Sequence, residues 1–136
     1  MRAALLPLLA GATLLTGCAS LATATCPAGQ NPGRAVELLF GRKIGDQVGV
    51  SEVDFARFVD EELTPRFPDG LTVLDAAGQW RSNAGPILRE PSKVVILALP
   101  GRAGGEDRLD AVRAAYRQRF SQEAVLVITQ PACLGF

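Results

Sequence analysis

Apolar positions recur along this chain at two spacings, one fitting strands and the other fitting helices. Val36 to Phe40 is a short apolar run closed by Gly41, and it predicts a first strand. A polar loop with Gly45 and Gly49 follows. Ser51 then stands where a helix N-cap belongs, with Asp54 three residues on and Glu52 beside it in the first turn, where the helix dipole favours negative charge. Val53, Phe55, Phe58, Val59 and Leu63 recur at three-to-four spacing and predict one apolar helix face, which Pro65 and Pro68 end. Asp69-Gly70 turns the chain into a second strand over Leu71–Ala76, extendable through Trp80. Asn83-Ala84-Gly85 has the composition of a hairpin turn. The return strand is strongest over Val94–Leu99 and is closed by Pro100-Gly101. A second helix is predicted over Glu106–Phe120, with Leu109, Val112, Tyr116 and Phe120 on one stripe. A fourth strand runs from Ala124 to Thr129, and Pro131 is expected to end it.

The order strand, helix, strand, strand, helix, strand is that of the split βαβ pattern. The predicted class is α+β: a ferredoxin-like βαββαβ sandwich, with a four-stranded antiparallel sheet and both helices on one face. In that topology the strands lie in the order fourth, first, third, second. The third strand is apolar on both alternating sets, as an interior strand should be, whereas the second carries Thr72, Asp75, Gly78, Gln79 and Arg81, as an edge strand should. The same order makes the first and fourth strands antiparallel neighbours. It therefore brings Cys26, ahead of the first, near Cys133, behind the fourth, and predicts a disulfide between them. Helices on one face leave the other bare. With the third strand apolar on both faces, and Leu39, Leu126 and Ile128 extending the second surface, that bare face is expected to be covered, first of all by a second copy in a homodimer.

Ahead of the strands lies a segment of a different kind. Arg2 is followed by the apolar Ala3–Leu15, too short to cross a hydrocarbon core, which needs roughly 20 residues. It runs into Leu15-Thr16-Gly17-Cys18, which resembles the lipobox of bacterial lipoproteins. That resemblance implies a signal peptide over residues 1–17 and a lipidated Cys18. After Cys18, residues 19–34 are small and Thr/Ala-rich and then rich in Pro and Gly, a composition that predicts a flexible tether, 18–34 with the lipidated cysteine, ahead of one domain over 35–136. Two or more acyl chains on Cys18 would hold the protein stably to a membrane. Ala19, a small residue after the cysteine, resembles the outer-membrane sorting signal of such lipoproteins. The expected location is therefore the cell envelope, lipid-anchored, at the outer membrane facing the periplasm if the host is Gram-negative. Disulfides persist in that compartment.

Composition then restricts the chemistry. Lys plus Arg and Asp plus Glu both number 14, so no basic field for nucleic acid exists. The chain has no histidine, which excludes His-based dyads and triads and the commonest metal ligand, so neither a metal nor a cofactor is expected. Ser92 and Lys93 are adjacent and would point to opposite faces of a strand. Gly101–Gly105 fits no phosphate-loop pattern, and Glu106 with Asp107 would repel an anion at that helix start. The most polar interruption is Asp69–Lys93. If the hairpin turns about Ala84, Asp75 faces Lys93 and Gln79 faces Arg89. The plain reading is a cross-strand ion pair of roughly 0.2–1 kcal/mol. The sharper reading is a ligand pocket of Asp75, Gln79, Trp80, Arg81, Glu90 and Lys93, floored by Trp80 and using Asp75 or Glu90 as an acid/base group.

Glu37–Arg42, Ser51–Gly70, Leu71–Arg81, Arg89–Ile96, Ala114–Phe120 and the closing Pro131-Ala132-Cys133 together resemble the bacterial family termed domain of unknown function 3574. The resemblance covers nearly all of the predicted domain and implies no activity. The functional expectation is thus a non-enzymatic envelope lipoprotein acting as a small binding or interaction module. The alternative is a small histidine-independent enzyme of the dimeric ferredoxin-like type, with a cleft around Asp75, Trp80 and Lys93.

Overall fold

A computed structural model describes residues 25–81, 85–101 and 103–136. The expected signal peptide, Cys18 and the first part of the expected tether lie outside these residues, as do Asn83 and Ala84 of the hairpin turn. The elements are β1 (Asn31–Gly41), a two-rung hairpin of β2 (Lys43–Ile44) and β3 (Gln47–Val48), α1 (Glu52–Phe58) with a π turn (Val59–Leu63), β4 (Leu71–Arg81), β5 (Ile87–Pro100), α2 (Glu106–Phe120) and β6 (Leu126–Leu134). The main sheet has the order β4-β5-β1-β6, and every pairing is antiparallel. This is the predicted ferredoxin-like order, with β5 inside and β4 at an edge.

The two-residue period of the strands sorts every side chain. Val36, Leu38 and Phe40 of β1 and Val95, Leu97 and Leu99 of β5 point to one side, where they form a single core with Phe55, Phe58, Leu63, Leu109, Val112, Tyr116 and Phe120. Both helices therefore cover the same face. Aromatic rings knit the layers together. Tyr116 meets Phe40 at 4.6 Å, Phe120 at 4.8 Å and Phe58 at 5.0 Å between centroids. Its hydroxyl donates to the Gly41 carbonyl at 2.8 Å, so this buried polar group is satisfied.

Ser51 caps α1 as expected, its Oγ accepting from the Asp54 amide at 3.1 Å. Beyond Phe58 the helix departs from the expected continuous α form. Leu63 lies five residues after Phe58, and an α-helix would turn it about 140° away from the core face. The π turn, closed by the Thr64 amide on the Val59 carbonyl at 2.8 Å, returns Leu63 to full burial. Val53, expected on the apolar face, is 66% exposed, because two residues before the buried Phe55 it lies about 200° round the helix, on the side away from the core.

Two strand ends also differ from expectation. β1 begins at Asn31, so residues 31–34 belong to the sheet rather than to the tether, and Arg34 is buried. β6 runs through Pro131 to Leu134 instead of stopping at the proline. An edge strand tolerates the missing N–H because one side of it has no partner. The extra rungs, Asn31–Leu134 and Pro32–Cys133, are locked by the Cys26–Cys133 disulfide, whose Cα atoms are 5.5 Å apart. The N-terminus of α2 is fixed at the same end of the sheet. Arg34 donates to Glu106 at 2.6 Å and to the Gly104 carbonyl.

The disulfide closes a loop of 107 residues, so removing it should cost about 2–5 kcal/mol. Cys26→Ala and Cys133→Ala should each lower the urea midpoint by the same amount as the double variant. Intact mass with and without reductant should differ by a pair of hydrogens; equal masses would rule the bond out.

Candidate functional site

The β4–β5 hairpin is longer than the strand beside it. β1 pairs with β5 only as far as Gly41–Ser92, while the hairpin continues through Ala77–Pro91 to Arg81–Ile87. The observed register pairs Asp75 with Lys93 and Gln79 with Arg89, the pairs that a turn about Ala84 requires. Strand alternation then divides the expected pocket in two. Asp75, Gln79, Arg81 and Lys93 lie on the helix side of the hairpin, and Trp80 and Glu90 on the bare side. The expected cleft joining Asp75, Trp80 and Lys93 therefore does not form, because Trp80 is an odd number of residues from both partners.

On the helix side, Lys93 is a structural cation. Its side chain is 7% exposed, and Nζ donates to Glu52 at 2.5 Å and to Asp75. Glu52 also accepts from Arg42, whose Nε donates to the Val50 carbonyl at 2.8 Å. The network ties the first turn of α1 to β4, β5 and the end of β1. Asp75 is held below the ordinary carboxylate range by the hydrogen bond from Lys93 and by its charge. Glu52 is lowered chiefly by Lys93, with Arg42 adding to the effect against desolvation. Lys93 is held above its ordinary value by Asp75 first and Glu52 second, against the opposing effect of burial. Both carboxylates are exposed and the lysine is fully committed, so this is the ion-pair reading of the hairpin rather than an acid/base centre.

On the bare side, the end of β1 leaves a cleft of about 170 Å³ beneath the overhanging hairpin. Its walls are Trp80, Leu39, Leu126 and Gln122, and its base is Gly41, Gly78 and Ser92. Gln79 reaches its rim from the other face. Glu90 fills the step where β1 stops. Its Oε2 accepts from the Lys43 amide at 2.9 Å, and its carboxylate lies over Gly41 so closely that a Cβ there would come within 2.6 Å of Oε1. Gln122 Nε2 donates to the Lys43 carbonyl at 2.6 Å. The Lys43 backbone is thus held from both sides, and the wall of the cleft is set before any ligand arrives. Of the six residues expected to share a pocket, Gln79, Trp80 and Glu90 do so. Leu39, Gly41, Ser92 and Gln122 were missed. The signal that would have found Gly41 is the glycine that closes β1, since it falls beside the register of Glu90.

A second cleft, of about 450 Å³, lies beside the disulfide and is lined by Cys26, Pro32, Arg34, Thr129, Pro131 and Cys133. Arg34 is its one charged group, and that charge is already met by Glu106. Glu106 is held below its ordinary value by its own backbone amide first and by Arg34 second, so the start of α2 carries its own anion.

The bare face beyond the cleft is uncovered and largely aliphatic, with Leu74 and Ile96 47% and 36% exposed, but Glu37 stands at its centre between Ile96 and Ile128, and Thr72 and Gln130 lie on its edge strands. Fold and site together define a small, disulfide-stapled, ferredoxin-like domain with one helix-covered and one naked sheet face. Residues 35–136 match the profile of the DUF3574 family, described as a protein of unknown function, and the chain belongs to that family. No curated protein matches the chain. Among solved structures, a phage SAM lyase in complex with S-methyl-5'-thioadenosine is similar at a TM-score of 0.60 and 17% identity, covering 84% of this chain and 95% of that one. CutA from Synechococcus elongatus is similar at 0.48 and 11%, covering 74% and 77%. A putative PII-like signaling protein from Thermus thermophilus follows at 0.40 and 15%, covering 78% and 92%. At these identities what is shared is the fold, and one fold hosts many chemistries.

The ion-pair network has a pH signature. Asp75 and Glu52 have folded pKa values below their unfolded ones, so the stability they lend is present above roughly pH 4 and is lost as pH falls through the lowered values. Lys93 is shifted upward, so its share persists until pH rises past its ordinary 10.5 and through the raised value. Lys93→Met keeps the stem and removes the charge. Its urea midpoint should fall less than the wild type's between about pH 5 and pH 2. Parallel acid limbs would show that the network carries no such linkage.

Proposed function

We propose that this protein is an exported envelope lipoprotein, held to the membrane through Cys18, whose domain serves as a small binding or interaction module working through its bare sheet face. The observation that carries the binding half is the face itself. An antiparallel sheet commonly exposes one side, but that side is then polar. Here it presents Leu39, Leu74, Val94, Ile96, Leu126 and Ile128 around a half-buried Glu37, with Thr72 and Gln130 on the edge strands, and neither helix covers it. Two observations support the envelope half. Leu15-Thr16-Gly17-Cys18 resembles a lipobox, and the Cys26–Cys133 bond belongs to oxidising compartments. Among the described residues, no helix is long and apolar enough to cross a membrane. A second copy is the first partner to test, since two such faces would bury each other's apolar surface. The enzyme alternative loses its support, because the cleft it needed around Asp75, Trp80 and Lys93 is divided between two faces.

Growth with labelled palmitate should label the wild type, and Cys18→Ala should lose both the label and membrane fractionation. An unlabelled wild type would remove the anchor. If a second copy covers the face, Ile96→Arg should shift the purified protein toward a lower sedimenting mass. A wild type that sediments as a monomer at micromolar concentration would leave the face to another partner.

A further inference from the structure

The cleft at the end of β1 holds an acidic group with no countercharge. The carboxylates of Glu52, Glu62, Asp75 and Glu106 each sit within an ion pair. Among the described residues, Glu90 has no cationic partner and a single donor, the Lys43 amide on Oε2. It is half-buried, and it stands diagonally from Trp80 on the same face, since Gly78 is paired with Glu90 and Trp80 with Leu88. Diagonal neighbours of this kind lie within reach of a large aromatic ring. Gly78 opposite Glu90 and Gly41 beside it keep the base low. At Gly41 a methyl group would strike the Glu90 carboxylate, so the glycine is what lets that carboxylate lie flat over the strand.

A partly desolvated carboxylate beside an indole, within apolar walls of Leu39 and Leu126, has a specific complement. An organic ammonium brings a positive charge for Glu90 and polarised carbon surface for the face of Trp80, and tryptophan is the best of the aromatic partners for such a cation. A metal ion would need several oxygen ligands, and among the described residues Glu90 is the only carboxylate lining the cleft. An anion would be repelled. At about 170 Å³ the cleft is below the roughly 300–1,000 Å³ of drug-sized pockets, which limits the ligand to a few heavy atoms or to one headgroup. We infer that the Trp80–Glu90 cleft binds a small alkylammonium group, charge toward Glu90 and alkyl carbons against Trp80. This rests on the binding-module reading and deepens it, and it does not depend on the anchor.

Trp80 is the only tryptophan in the chain, so its fluorescence reports occupancy directly. The full chain, expressed with its own leader and purified, is titrated with choline and with 3,3-dimethyl-1-butanol, its uncharged isostere. Choline should quench or shift the emission saturably, and the isostere should bind at least about tenfold more weakly. Glu90→Gln keeps an oxygen acceptor for the Lys43 amide and should lose the same factor for choline while leaving the isostere unchanged. Phosphatidylcholine vesicles form a second arm. A response to phosphatidylcholine vesicles alone, absent with phosphatidylglycerol vesicles and lost in Glu90→Gln, assigns the same site to a lipid headgroup, and a response to free choline assigns it to a soluble amine. Equal binding of choline and its isostere, or no response in either arm, overturns the inference, and both comparisons use the wild type alone. Palmitate labelling is independent of these titrations, so failure of the anchor and failure of the cleft are separately visible.

Discussion

Two helices can cover one side of a four-stranded sheet and no more, and strand alternation decides what each side receives. β5 is where this constraint acts most strongly. Lys93, Val95, Leu97 and Leu99 go to the helix layer, while Glu90, Ser92, Val94 and Ile96 go to the bare side. A one-residue slip of β5 against β1 would exchange the two sets, turning Ser92 or Val94 toward the helices and carrying Lys93 out to the bare face. The Lys93–Glu52–Arg42 network opposes that slip, because burying Lys93 requires both carboxylates to be waiting for it. The ion pairs and the aromatic cluster around Tyr116 thus have complementary roles. The cluster supplies the cohesion of the layers, and the charges fix which register the cohesion acts on.

Most of the architecture could be read from spacing. Element order gave the strand order, and the sum of paired residue numbers in the hairpin gave its register. The failures were local and have physical causes. Pro32, Gly33 and Pro131 are poor strand residues by propensity, yet all three sit in rungs. There the cross-link and the neighbouring ladder supply what propensity does not. The π turn was invisible because it is a response to where Leu63 must go, not a preference of Val59–Leu63. The candidate site was half legible. Parity separates Ser92 from Lys93, and the same rule separates Trp80 from Asp75, which spacing along the chain alone had grouped together.

The bare face and the cleft are one surface with two characters. Toward its middle it is mostly aliphatic, with Glu37 set between Ile96 and Ile128. At the end of β1 it steps down into a recess with a fixed carboxylate and an indole wall. Placing both on one side leaves the helix side free to do nothing but hold the domain together.

The position of the cross-link has a mechanical consequence. Any pull arriving along the chain ahead of Cys26 reaches that residue before it reaches the first rung at Asn31. Without the bond, that load would peel β1 away rung by rung, beginning at the Asn31–Leu134 end. With it, force entering at Cys26 divides at once between β1 and β6 through Cys133, and the strands must be sheared together rather than unzipped. The domain is therefore clamped at the corner where tension on the chain ahead of Cys26 would begin to undo it.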